Sequence, residues 1–147
     1  MSAVNRVGTK SESVAVRHLW RAGAIAAVAA SIANLVVYFL APRLFNFSLE
    51  IPLMGPGSEI QPLPFFMVIF ATIAATIGAT ILLAALNRFT ARPVTIFRVI
   101  AVVLLVLSFG APFSLPVPLN VQLTLLSMHI ITAAVILYVL TVQAREK

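Results

Sequence analysis

The chain has 147 residues, 61% of them hydrophobic and 10% charged, with a net charge of +6 and no cysteine. Soluble domains carry roughly 45–50% apolar and about 25% charged residues, so a water-soluble fold is excluded for want of a place to hide this apolar surface. The missing cysteine excludes disulfides, zinc–thiolate sites, iron–sulfur clusters and thiol nucleophiles.

Residues 1–18 are polar and basic and are expected to form a disordered cytoplasmic tail. A first span is expected at 19–40, within an uncharged run from Ala22 to Pro42. Its apolar core is longer than the 7–15 residues of a signal-peptide h-region, and only Leu40-Ala41-Pro42-Arg43 follows, without a small-x-small cleavage site, so it reads as a retained anchor. Next, Phe45, Phe47, Leu49 and Ile51 alternate with Asn46, Ser48 and Glu50, a period-two pattern. Met54-Gly55-Pro56-Gly57 is turn chemistry, and Ser58 to Pro62 supplies a return segment. A short β-hairpin is expected, lying on the helix ends or the lipid surface because an isolated two-stranded hairpin is marginal in water. The competing reading is an irregular Pro-rich loop.

Further spans are expected at 63–86, 94–113 and 120–143, with Pro64 and Pro93 in first turns where a missing N–H costs nothing. Each meets the requirement of about 20 mostly apolar residues for crossing a bilayer. Gly110, Pro112, Pro116 and Pro118 divide the long run from Val99 to Ala144 between the last two spans. Residues 144–147 form a short tail. The spacing thus predicts an all-α membrane protein: a four-transmembrane-helix, up-down antiparallel bundle with a hairpin in its first outer loop.

Nine of the ten Lys and Arg residues fall on one side of these spans: Arg6, Lys10, Arg17 and Arg21, then Arg88, Arg92 and Arg98, then Arg145 and Lys147. Only Arg43 lies on the other, with Glu50 and Glu59. Short basic loops stay cytoplasmic, so both termini are expected inside. Basic residues at membrane edges do not form a nucleic-acid surface, and the lipid bilayer is the expected partner.

In lipid, close backbone approach and side-chain hydrogen bonds decide which faces meet. On the second span Ala71, Thr72, Ala75, Thr76, Ala79 and Thr80 form a small, hydroxyl-bearing half, opposite Phe66, Phe70, Ile73, Ile77 and Ile81. On the first, Gly23, Ala27, Ala30, Ser31 and Asn34 share a stripe containing a Gly23-x-x-x-Ala27-x-x-x-Ser31 ladder, expected to serve packing within the chain before homo-oligomerisation. On the fourth, Gln122, His129, Thr132 and Ala133 share a face. At about 1.5 Å per residue, His129 lies roughly 12–14 Å from the outer end, Asn34 about 9 Å, and Ser31 and Thr72 roughly 10–14 Å.

Ser31, Asn34, Thr72 and His129 share this depth band, and with Thr76 and Thr132 they form the candidate site. In its structural reading, His129 donates to Asn34 or to a backbone carbonyl and sets helix register, each interhelical bond contributing about 0.6 kcal/mol and at most about 1.7. In its functional reading, the residues line a polar pocket for a small ligand or a proton, with His129 as the titratable group. The spans carry no Asp, Glu or Lys beside it, which weakens proton-coupled transport. Haem would need two facing histidines, and His18 sits too far from His129 in depth, so only a symmetric dimer would supply them. There is no P-loop, GxSxG, HExxH or carboxylate pair. No enzyme activity, metal or cofactor is expected.

The basic N-terminal stretch, the Arg21-Ala22-Gly23 start of an Ala-rich helix with Asn34, the alternating outer loop, and Arg88 and Arg92 before Pro93-x-x-x-Phe97-Arg98 form one pattern, completed by Met128-His129 in the last helix. It resembles a family of small bacterial four-helix integral membrane proteins known only as a domain of unknown function. The resemblance covers most of the chain after residue 18, and Gly110 to Leu119 departs from it in being a longer outer turn. It implies a multi-pass protein of the bacterial plasma (inner) membrane and brings no activity, substrate or catalytic residue. The expected function is a non-enzymatic scaffold or a subunit of a larger membrane complex; the alternative is a small-ligand-binding or transporter-like protein using the pocket around His129. A binding protein needs a cavity of roughly 300 Å³ or more; a scaffold predicts a filled bundle.

Overall fold

In the computed structural model, residues 16–55 and 57–142 are described. Their elements are α1 (Val16–Phe45), β1 (Glu50–Pro52), β2 (Ile60–Pro62), α2 (Phe65–Phe89), α3 (Pro93–Ser108), α4 (Gly110–Ser114) and α5 (Leu119–Val142). The expected N-terminal tail up to residue 15 and the C-terminal residues 143–147 lie outside the described residues.

Among the described residues, four helical segments are long and apolar enough to cross a membrane: His18–Phe45, Phe65–Phe89, Pro93–Ser114 and Leu119–Val142. The distribution of side chains is that of a lipid-facing bundle. Large apolar groups point outward, Phe70 at 74% exposure, while alanines, threonines and Asn34 fill the interior. With lipid outside there is no gain in hiding leucine, and small residues take the interface because they let backbones approach. This is a multi-pass membrane protein.

Helix α1 is the hub, packing along both α2 and α5; α3 packs more sparsely on α2 and α5. The start of α1 and the end of α5 meet in an apolar cluster of Leu19, Ala22, Leu83, Phe97 and Leu140. The bundle is therefore antiparallel, and the described chain starts and ends at one end of it. At the opposite end, Leu49 and Leu63 beside the hairpin pack with Val68, Val121 and Met128.

Several boundaries differ from the sequence expectation. α1 extends past Pro42 to Phe45, so Phe45 closes a helix instead of opening a strand. Asn46 takes a left-handed φ of 52° and the Phe47 N–H reaches back to the Pro42 carbonyl at 3.1 Å, a Schellman-type stop. Only Glu50–Pro52 pairs with Ile60–Pro62, in the antiparallel register Glu50↔Pro62, Ile51↔Gln61 and Pro52↔Ile60. The Leu63 N–H bonds the Leu49 carbonyl at 3.0 Å, and the Tyr38 hydroxyl donates to the Leu63 carbonyl at 2.6 Å, fastening the hairpin to α1.

The third span is not one helix over 94–113. α3 stops at Ser108 and α4 follows after Phe109. Pro112 has no N–H to give the Ser108 carbonyl and its ring crowds that oxygen, so the i→i−4 ladder breaks there.

On α1 the most buried row is Ala22, Ala26, Ala30 and Asn34, each at 2% exposure or less. The Gly23–Ala27–Ser31 ladder lies one residue round the helix and is only partly interior: Gly23 is buried, Ala27 and Ser31 half-buried. Gly23 lets α1 come close to α2, since a Cβ there would lie 2.6 Å from Thr80 Oγ1 and 3.2 Å from its methyl. The Thr80 hydroxyl is held on the Thr76 carbonyl at 2.8 Å, so it does not swing aside freely. Overpacking of this kind costs about 1–3 kcal/mol. Gly23→Leu is expected to lower unfolding stability in detergent by that amount, and Ala24→Leu, on the exposed face one residue on, to leave it unchanged.

Candidate functional site

Asn34 sits at the centre of the bundle with 1% of its surface exposed. Its Nδ2 donates to Thr72 Oγ1 on α2 at 2.9 Å and to Thr132 Oγ1 on α5 at 2.7 Å. The direction of the first bond follows from Thr72, whose own proton goes to the Val68 carbonyl at 2.8 Å, leaving its oxygen to accept. Both amide hydrogens are then used, and one side chain ties three helices. Asn34 Oδ1 and Ser31 Oγ, one helical turn apart on α1, are buried without a partner among the described residues. A buried unsatisfied group costs about 1–3 kcal/mol, so the centre of the bundle holds unused hydrogen-bonding capacity.

The threonines of α2 form a row. Thr76 donates to the Thr72 carbonyl and Thr80 to the Thr76 carbonyl, each at 2.8 Å. Such back-bonding satisfies the hydroxyl on its own helix. The row faces α1, as the Asn34 bond to Thr72 and the approach of Gly23 to Thr80 show. Two alanines of the same half-wheel do not: Ala71 and Ala75 are exposed and, with Gly78, form the wall of a cavity.

That cavity, about 710 Å³, lies between α2, α3 and α5, with Asn34 reaching it from α1. It exists because α3 is held mainly at one end. Val94 and Phe97 are buried there, at 1% exposure, and Arg98 Nη2 donates to Thr141 Oγ1 at 3.2 Å. Farther along, Val102, Val103, Leu104, Val106 and Leu107 are all exposed. Against the small-residue wall of α2, this leaves a groove instead of a filled seam.

His129 lines the groove on α5. It does not bond Asn34. Its Nδ1 lies 2.7 Å from the Leu125 carbonyl of its own helix. A carbonyl only accepts, so Nδ1 carries a proton, and in the neutral tautomer this leaves Nε2 as an acceptor directed away from the helix backbone. Thr132, one turn on, receives the Asn34 bond and keeps its own hydroxyl proton free for an acceptor. Among the described residues, no Asp, Glu, Lys or Arg lines the groove. Among the described residues, no cluster of three His, Asp or Glu side chains forms a metal site.

Of the six sequence-selected residues, Asn34, Thr72, His129 and Thr132 meet at the groove; Ser31 and Thr76 do not line it. Thr76 belongs to the threonine row that faces α1, and Ser31 is half-buried on α1. Sequence reasoning missed the α3 wall, including Ala101 and Ser108, and assigned Ala71 and Ala75 to helix packing. The signal for the α2 wall was present in the Ala71, Ala75, Gly78 spacing; nothing in the sequence of α3 singled out its contribution.

The model of the Family of unknown function (DUF6069) matches residues 14–146. The chain belongs to that family. No curated protein matches it, and no solved structure does.

Asn34→Leu removes both interhelical bonds and is expected to lower stability by about 1–3 kcal/mol, given about 0.6 and at most about 1.7 kcal/mol per membrane hydrogen bond. A double-mutant cycle with Thr132→Val should return a coupling within that per-bond range. Additive effects would show that the 2.7 Å contact contributes nothing.

Proposed function

We propose that this multi-pass membrane protein binds a small, mainly apolar, uncharged ligand within the bilayer and performs no catalysis on it. The observation that carries the reading is the groove: at about 710 Å³ it exceeds the roughly 300 Å³ of a small-molecule site. Its walls are apolar and its few polar groups converge at mid-depth, the usual composition of such sites. The absence of a charged wall residue favours a neutral ligand, since an unpaired ion in this setting would be strongly destabilised.

A second reading, a scaffold or subunit of a larger complex, is favoured by one feature. Ala71, Ala75 and Gly78 leave the α2 backbone accessible along the groove, a surface on which a partner's helix, or that of a second copy, could seat. Ala75→Trp discriminates. It fills the groove from an exposed position and leaves the Asn34 bonds alone. Ligand binding predicts that lipid-soluble molecules retained by the purified wild-type protein, detected by native mass spectrometry, disappear from this variant while its melting temperature holds. Loss of a co-purifying polypeptide instead would support the subunit reading.

The proposed setting is the bacterial plasma membrane with both termini in the cytoplasm. The concentration of basic residues at the tail and α2–α3 end supports it, with Arg43 alone at the hairpin end. The natural chain has no cysteine, so single-cysteine variants report cleanly. An impermeant maleimide added to intact cells should label Ser58→Cys and spare Ala91→Cys. The reverse pattern would invert the topology.

A further inference from the structure

We infer that the groove is a site for a neutral lipophilic alcohol, whose hydroxyl binds between His129 and Thr132. The inference rests on the ligand-binding reading and names the chemistry of the ligand.

Two polar groups on α5 are left free beside the groove. His129 Nε2 has a lone pair and no partner among the described residues, because the ring is anchored through Nδ1 on the Leu125 carbonyl. Thr132 accepts from Asn34 and keeps its proton. The two residues stand three apart on α5, which puts their Cβ atoms about 5–6 Å apart on one face. One group on a ligand has to accept from Thr132 and donate to His129. A hydroxyl does both through a single atom. An ether or ketone oxygen only accepts. A carboxylate only accepts and is charged, and an ammonium only donates and is charged. Asn34, 1% exposed and with Oδ1 unpartnered, lies in the same polar band and lines the same groove.

Depth separates this ligand from ordinary lipid. Phospholipid tails reach the middle of the bilayer without a polar atom there. A hydrocarbon chain in the groove would leave both the donor and the acceptor unanswered, a disadvantage of about tenfold in affinity against a matched hydroxyl compound. At about 710 Å³ the cavity has room for a flexible chain or a small ring system.

The test uses the full-length protein in phosphatidylcholine nanodiscs with three probes of equal chain length: 1-tetradecanol, its methyl ether and tetradecane. His18, exposed at the helix start, is replaced by Gln, so that labelling with ¹⁵N-histidine reports on His129 alone. The alcohol is expected to bind about tenfold more tightly than the ether, counted per lipid, and to shift the Nε2 resonance in the direction of an accepted hydrogen bond. His129→Phe keeps the ring volume and should bring the alcohol down to the affinity of the ether. Equal affinity for all three probes, with Nε2 unmoved, overturns the hydroxyl inference and leaves ligand binding standing. No probe binding more tightly to wild type than to Ala75→Trp overturns both. The resonance of the His18→Gln protein decides the matter even if His129→Phe does not fold.

Discussion

The bundle depends on one carboxamide. In water, burial of leucine would order the helices; in lipid it does not, and the arrangement falls to close backbone contact and to hydrogen bonds between helices. Asn34 supplies two of these bonds from a single nitrogen, one to α2 and one to α5. Its row of alanines, Ala22, Ala26 and Ala30, lets both neighbours come close enough to be reached. The central position of α1 follows from that pairing of small surface and branching donor. The two apolar clusters, one at each end of the bundle, sit on either side of this polar node.

The groove is the complement of the same logic. α3 has no counterpart of Asn34. It is held near its start by Val94, Phe97 and the Arg98–Thr141 bond, and a break at Phe109 separates it from α4. Along the remaining turns, branched residues face outward and little fixes α3 to the alanine wall of α2. The space between therefore stays open, and His129 and Thr132 border it because the α5 face that meets α1 at Asn34 continues round towards α3.

The four spans, the antiparallel order and the hairpin were legible in the sequence because each rests on a one-dimensional signal: apolar length, glycine and proline punctuation, and alternation. The errors arose where three dimensions choose between adjacent sectors of a helix. Ala71 and Thr72 stand about 100° apart on the wheel, and both belong to a small-residue half. Only the position of α1 decides that the threonines pack and the alanines line a cavity. The same one-residue ambiguity separates the Ala22–Ala26–Ala30 row from the Gly23–Ala27–Ser31 ladder. Asn34, Thr72 and His129 were found through shared depth, which helix rise fixes, and Thr132 through the helix face it shares with His129. The Leu125 partner of His129 was invisible, since every helical histidine has a carbonyl four residues back. Phe45 was misassigned because Pro42 looked like a terminus, although a proline three residues before a helix end removes only one backbone bond.

The back-bonded threonines also bear on how the family's sequences can drift. Thr76 and Thr80 hand their protons to their own helix, so what they offer α1 is chiefly shape, and valine has nearly the same outline. Thr72 is different, because its oxygen also receives the Asn34 bond. Of three residues that look interchangeable in a row, one is constrained by chemistry and two by volume, and substitution among relatives should run freely at the latter pair while an oxygen persists at the first.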